Sequence, residues 1–124
     1  MTQIQANEFA GQWLAAWNAH ALAHIVQHYA LNIEFVSPFA TKLTGNSLIV
    51  GREALTRYFA VALENFPELH FSHMRAFPGE GSVVLCYRSV NDLDAAETMV
   101  FDKDGQISRV WAHYRQSQSN SSIG

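Results

Sequence analysis

Residues 69–114 have the sequence LHFSHMRAFPGEGSVVLCYRSVNDLDAAETMVFDKDGQISRVWAHY, in which apolar segments alternate with turn signals. The turns are Pro78-Gly79-Glu80-Gly81, Asn91-Asp92 and Asp102-Lys103-Asp104-Gly105, whose residue types favour tight turns. Strands that are joined by such short turns pair as an antiparallel meander. The predicted strands span residues 69–77, 82–90, 95–101 and 106–114.

The first half of the chain has helical periodicity instead. Phe9, Trp13, Ala16 and Trp17 share one apolar stripe, which predicts a helix over residues 6–19. The other predicted elements are helices over residues 21–30 and 52–65, short strands over 32–36 and 47–50, and a loop over 39–47. Helices followed by a meander predict an α+β fold, in which a curved antiparallel sheet wraps around three N-terminal helices in a cone and encloses a pocket.

Composition limits the kind of protein this can be. The chain has 124 residues, of which 48% are hydrophobic, and predicts one domain over residues 1–115 with a frayed polar tail over 116–124. Eight Lys and Arg against eleven Asp and Glu give a net charge of −3, so we expect no nucleic-acid partner. We expect no membrane span and no secretory signal, and the single cysteine, Cys86, favours a cytoplasmic protein.

Several short segments together resemble the nuclear transport factor 2-like superfamily, in its SnoaL-like and steroid-isomerase-like branch. They are QWLAAWNA (12–19), YA (29–30), SP (37–38), GREAL (51–55), YF (58–59), FP (66–67), ETMVFD (97–102), DGQI (104–107) and WAHY (111–114). The resemblance covers residues 5–115 and implies the cone-shaped fold, often as a dimer. It implies no single function, because this fold hosts isomerases, dehydratases, cyclases, epoxide hydrolases and non-catalytic binders.

Glu97 is the candidate catalytic residue. It lies in an apolar segment, and strand alternation places it on one face with Met99 and Phe101. If this face lines the pocket, burial raises the pKa of the carboxyl, which can then donate a hydrogen bond to a carbonyl or an oxyanion. An acid at the matching position of the steroid isomerases resembles this role. The alternative is a carboxylate that pairs with an arginine or faces solvent.

Two positions depart from the steroid isomerases. The resemblance places an aspartate base just before the matching proline, but this chain has Ser37-Pro38, and a serine hydroxyl is no general base. Those enzymes have a phenol where Trp13 stands, and an indole N–H donates a hydrogen bond without transferring a proton. Both departures disfavour steroid isomerase chemistry. The alternative for Ser37 is a hydroxyl that stabilises a turn.

A larger set of residues is predicted either to line the pocket or to form an ordinary core. Strand alternation puts Leu85 on one face with Tyr87, and Val110 with Ala112 and Tyr114. The predicted ligand-binding set is Trp13, Trp17, Ser37, Tyr58, Leu63, Leu85, Tyr87, Met99, Val110, Ala112 and Tyr114.

The opposite face of the last strand favours self-association. Arg109, Trp111 and His113 alternate with the pocket-facing residues and would point outward. An exposed tryptophan on an open sheet face favours a cover, and a second copy of the chain supplies one. The sequence therefore predicts a homodimer.

The histidines do not predict a metal site. His20, His24 and His28 recur every four residues, but on the polar side of their predicted helix and without a carboxylate or cysteine to complete a ligand set. His70 and His73 alternate along one predicted strand, so at most one of them faces the pocket. We expect no metal and no other cofactor.

These observations predict a protein that binds a small hydrophobic molecule. If it is an enzyme, it is a cofactor-free isomerase, cyclase or dehydratase for a carbonyl or polyketide-like compound, with Glu97 as acid or oxyanion donor. Trp13, Tyr58, Tyr87 and Tyr114 would orient the substrate. The alternative is a non-catalytic ligand-binding or assembly module of the same fold.

Overall fold

The first half of the chain contains the helices. A computed structural model describes residues 1–117, and it has the helices α1 (Gln3–Asn18), α2 (Leu22–Val26), α3 (Pro38–Thr44) and α4 (Arg52–Asn65). The Thr2 side chain caps α1 in a capping box with Gln5. Helix α4 has the predicted bounds. Residues 118–124 of the predicted tail lie outside the described residues.

Within residues 1–117, six strands form one curved sheet. They are β1 (Tyr29–Val36), β2 (Leu48–Val50), β3 (Ser72–Pro78), β4 (Ser82–Arg88), β5 (Leu93–Phe101) and β6 (Ile107–Gln116). Their order in the sheet is β2–β1–β6–β5–β4–β3. The predicted antiparallel meander is confirmed from β3 to β6, but β1 pairs in parallel with β6, a pairing that the turn signals did not indicate.

The second helix is much shorter than predicted, because its C-terminal half belongs to the sheet. The prediction of a helix over residues 21–30 was wrong after Val26. The His28 carbonyl accepts a hydrogen bond from the Ile107 N–H at 2.9 Å, and the Gln106 side chain donates to the Gln27 carbonyl at 2.9 Å. Pairing with β6 therefore overrides the helical periodicity at Tyr29, the first residue of β1.

The predicted loop over residues 39–47 contains α3. Ser37 is its N-cap, because the Ser37 Oγ accepts a hydrogen bond from the Phe39 N–H at 3.2 Å, and Pro38 occupies the first turn. Gly45 ends the helix with a φ of 80°, which is the left-handed region that glycine adopts without steric cost. The loop prediction missed this Ser-Pro and Gly pair of helix signals.

The concave face of the sheet packs against α1 and α4, and the core lies between them. Strand β3 begins at Ser72, not at Leu69 as predicted, and a bulge with His73 at a φ of 58° interrupts its pairing with β4. Such a bulge bends a strand and helps the sheet to curl. As alternation predicts, Arg109, Trp111 and His113 are exposed on the opposite, convex face.

The six histidines are distributed over several elements of the fold and do not share one helix face. His20 follows α1, where its ring contacts the Leu69 carbonyl at 2.8 Å, and only His24 lies within α2, so the predicted histidine face of one helix does not exist. His70 and His73 are both exposed. Separately, none of the helices within residues 1–117 has the length and apolarity that crossing a membrane requires.

Candidate ligand cavity

A cavity of about 70 Å³ lies between the helices and the concave face of the sheet. Aromatic side chains form most of its wall. Six of the predicted site residues line it, namely Trp13, Trp17, Tyr58, Tyr87, Glu97 and Tyr114. The sequence interpretation missed Tyr29, Phe35, Phe39, Leu43, Phe59, Ala62, Phe66, Leu69, Phe71, Ser89 and Val90.

Six other predicted residues do not line the cavity. Leu85, Met99 and Val110 are fully buried, and Ala112 is nearly so, because the alternation that turns them inward places them in the packed core. Leu63 is half-buried on α4, whose cavity side is formed by Tyr58, Phe59 and Ala62 instead. The sixth, Ser37, is turned toward the backbone of α3 as its cap.

Glu97 is a buried carboxyl without a cationic partner. Its side chain is only 4% exposed, and its Oε2 accepts a hydrogen bond from the Tyr87 hydroxyl. Within residues 1–117 the ion pairs of Asp and Glu involve Glu53 and Asp94, not Glu97. Burial raises the pKa of Glu97 to about 7, against the smaller lowering effect of the Tyr87 hydrogen bond. The sequence left open whether Glu97 is a buried acid or a carboxylate that pairs with an arginine or faces solvent. In the structure it is a buried acid.

All four tyrosines of the chain surround this carboxyl. Burial is the largest cause that raises the pKa of each phenol, and it raises the pKa of Tyr58 to about 12. A negative charge on Glu97 also raises the pKa of all four. The phenols consequently stay protonated near neutral pH, where they supply hydrogen-bond donors and no base.

The two tryptophans of α1 differ in their hydrogen bonding. Trp13 Nε1 donates to the Tyr29 hydroxyl at 3.1 Å, whereas Trp17 Nε1 is buried and has no partner within residues 1–117. Burial and the charge of Glu97 raise the pKa of Tyr29, and the two nearby indole N–H groups oppose this by lowering it. Trp13 is therefore hydrogen-bonded within the chain, whereas Trp17 makes no hydrogen bond of normal geometry within residues 1–117.

Ser37 lies behind the cavity wall, next to Tyr58 and Tyr114. It is 0% exposed and absent from the cavity lining. Its hydroxyl moderates the pKa of Tyr58 and Tyr114, which burial raises much more strongly. The residue that stands where the resemblance places a base is thus a helix cap behind two phenols.

The cavity reaches the surface between α3, the C-terminal end of α4 and the turn that precedes β5. Its partly exposed lining residues are Phe39, Leu43, Ala62, Phe66, Ser89, Val90 and Tyr114. These side chains form a mouth that is almost entirely apolar. In the described part of the chain, no three His, Cys, Asp or Glu side chains group closely enough to hold a metal ion.

Comparisons with known proteins agree with this fold. The SnoaL-like domain profile matches residues 10–115, and a search of curated proteins gave no match. A SnoaL-like protein of unknown function from Burkholderia thailandensis is 35% identical, with a TM-score of 0.88 over 93% of this chain and 98% of its own. This match and the domain profile confirm the resemblance inferred from the sequence.

Two more distant structures share the fold alone. A candidate ketosteroid isomerase from Kribbella flavida is 16% identical, with a TM-score of 0.67 over 94% of this chain and 82% of its own. A candidate polyketide cyclase from Sinorhizobium meliloti is 9% identical, with a TM-score of 0.72 over 91% of this chain and 100% of its own.

Proposed function

The chain belongs to the SnoaL-like domain family, and on this basis we propose that its cavity binds a small, largely apolar carbonyl compound and converts it without a cofactor. The reaction class is an isomerisation, cyclisation or dehydration, and Glu97 is its acid. One observation carries the proposal, namely that an aromatic cavity contains a buried carboxyl whose pKa burial raises to about 7. A carboxyl of this kind is protonated in part at neutral pH, which is the condition for acid catalysis there.

Tyr87 positions the acid. Its hydroxyl occupies Oε2 of Glu97, which leaves Oε1 for the ligand. From Oε1 the proton is donated to a carbonyl, or to a hydroxyl that departs as water. In a dehydration the C–O bond breaks as this proton is delivered, and the carboxylate then takes the proton from the adjacent carbon. The products are an unsaturated carbonyl compound and water, and Glu97 returns to its starting state.

The size of the cavity limits the ligand. A cavity of about 150 Å³ holds benzene, and this one is about 70 Å³. A ligand with one ring therefore has to displace side chains at the mouth, where Leu43 is exposed at the end of the short α3. A four-ring steroid needs far more room. The size of the cavity and the capping role of Ser37 both argue against steroid isomerisation.

A non-catalytic ligand-binding module is the second candidate. It is favoured because no second titratable group that could act as a base near neutral pH lines the cavity within residues 1–117. Such a protein would bind the same class of ligand, and Glu97 would serve only as a hydrogen-bond donor.

Turnover and binding can be separated with a β-hydroxyketone such as 4-hydroxy-4-methylpentan-2-one, whose dehydration product absorbs in the ultraviolet. We expect turnover by the wild type, with a rate that falls as the pH rises through about 7, because the acid form of Glu97 is lost. Glu97→Gln should lower kcat by roughly 10²–10⁴-fold and change the Kd much less. Glu64→Gln, which removes an exposed carboxyl of α4, is the matched control.

Each alternative result has a separate meaning. Binding without turnover of any β-hydroxyketone or enone would favour the non-catalytic module. Turnover that Glu97→Gln leaves unchanged would remove Glu97 from the reaction. If neither wild type nor variant binds small carbonyl compounds, the proposed function is wrong.

A further inference from the structure

The indole N–H of Trp17 is a buried donor that makes no hydrogen bond of normal geometry within residues 1–117. Trp17 is 6% exposed, and its Nε1 is the one buried side-chain nitrogen or oxygen atom without a partner within residues 1–117. Its side chain lines the cavity. An unsatisfied buried donor costs folding free energy, so such groups in native proteins call for an explanation, and a binding site is one.

Neighbouring rings hold the indole in place. The Trp17 ring centroid lies 4.8 Å from that of Phe59 and 5.5 Å from that of Phe71. The Tyr29 hydroxyl is near enough for the Trp17 N–H to lower its pKa, but its oxygen accepts the well-aligned hydrogen bond of the Trp13 N–H at 3.1 Å. The packed ring therefore stays at the cavity wall, and its N–H is the donor that a ligand oxygen beside it would use.

We propose that Trp17 Nε1 is a ligand-binding donor and forms a second polar subsite, separate from Glu97. This inference rests on the proposed function, because it places a ligand in the same cavity. An indole nitrogen donates and never accepts, so the ligand atom at this subsite carries a lone pair. A carbonyl, ether or hydroxyl oxygen meets this requirement.

The two subsites are one aromatic side chain apart. The ring centroid of Trp13 lies 6.0 Å from that of Trp17 and 5.2 Å from that of Tyr87, and Tyr87 binds Glu97. A ligand that satisfies both subsites has oxygen atoms at both ends of a short apolar body. The proposal thus narrows the ligand class from a carbonyl compound to a small diketone, hydroxyketone or related compound with two acceptors.

Two probes of similar shape test this subsite. Cyclohexane-1,4-dione has an acceptor at each end. Methylenecyclohexane has an exocyclic CH2 group in place of one carbonyl oxygen and a ring CH2 in place of the other carbonyl, so it has no acceptor. We expect Trp17→Phe to weaken dione binding about three- to tenfold more than methylenecyclohexane binding, because only the dione loses a hydrogen bond. Comparing the two probes on one variant cancels the effect of the smaller ring. Trp111→Phe, on the convex face, is the matched control.

The wild type gives a direct readout that does not depend on a folded variant. Its three tryptophans provide three indole ¹⁵N–¹H NMR signals, and that of Trp111, on the convex face, serves as the internal reference. The dione should move the Trp17 signal downfield, and methylenecyclohexane should not. If both probes move it equally, only a change of packing or of an internal water is detected, and the proposal is wrong.

One further result separates this inference from the proposed function. If the dione shifts the carboxyl carbon of Glu97 while the Trp17 indole signal stays in place, the cavity binds carbonyl compounds but the Trp17 subsite does not exist. If neither signal moves, both proposals fail.

Discussion

Replacing Glu97 by glutamine should change how stability depends on pH. Burial raises the pKa of the folded carboxyl from 4.5 to about 7, so the folded state holds its proton more tightly than the unfolded state. This stabilising effect is complete below pH 4.5 and is lost as the pH rises through about 7. Each tenfold change in proton affinity corresponds to about 1.4 kcal/mol. The difference between a pKa of 4.5 and a pKa of about 7 therefore amounts to about 3 kcal/mol of unfolding free energy. Glutamine does not titrate and keeps a similar shape.

Urea denaturation at several pH values between 4.5 and 8.5, followed by tryptophan fluorescence, measures this difference. The free energy of unfolding of the wild type should fall relative to Glu97→Gln by about 3 kcal/mol across this range, which is about 1 M or more in the urea midpoint. Glu64→Gln controls for the loss of an exposed carboxyl. If the difference between wild type and Glu97→Gln is the same at pH 5 and pH 8, the carboxyl is not buried with a raised pKa.

Three further outcomes follow from contacts around the cavity and on the convex face. Tyr87→Phe removes the hydrogen bond that lowers the pKa of Glu97, so carbon-13 NMR of the carboxyl should give a midpoint above that of the wild type; an unchanged or lower midpoint contradicts the contact. Ser37→Ala removes the cap of α3 and should lower the free energy of unfolding by about 1 kcal/mol, whereas Ser37→Thr keeps a capping hydroxyl without burying a charge; equal urea midpoints for the two variants would contradict this. We propose that the chain forms a homodimer through the face of Trp111, which is 39% exposed, so Trp111→Glu should yield a monomer. Light scattering that gives the mass of one chain for the wild type at micromolar concentration contradicts this.

The elements that were predictable from the sequence are those with strong local signals. The helix over residues 52–65 and the hairpin turns depend on nearby residues alone, and the structure has them where expected. The fate of residues 27–30 depends on Ile107, almost eighty residues away, and no local pattern contains that information. The helix at Pro38 is a different case, because its Ser-Pro start and Gly45 end were available as signals.

The site was predictable in part for a similar reason. Alternation along one strand placed Glu97 on the inner face, and its burial follows from that position. Alternation does not distinguish an inward residue that reaches a cavity, such as Tyr87, from one that is covered by its neighbours, such as Leu85. Tyr29 was predicted on a helix and therefore was not considered as part of the wall. Packing in three dimensions decides these cases.

The position of β6 in the sheet has a consequence for synthesis of the chain on the ribosome. This strand lies between β1 and β5, so it joins two parts of the sheet that are otherwise not hydrogen-bonded to each other. About 70 residues separate the end of β1 from the start of β6, which is several seconds of translation at ~5–20 residues per second. Throughout that interval the β6-facing edge of β1 is unpaired, and the matching edge of β5 is unpaired from its own synthesis until that of β6. An unpaired edge can associate with other nascent chains. A chain that stops before β6 would have two separate sheets, β2–β1 and β5–β4–β3, instead of one shorter sheet. Neither of these sheets would enclose the cavity.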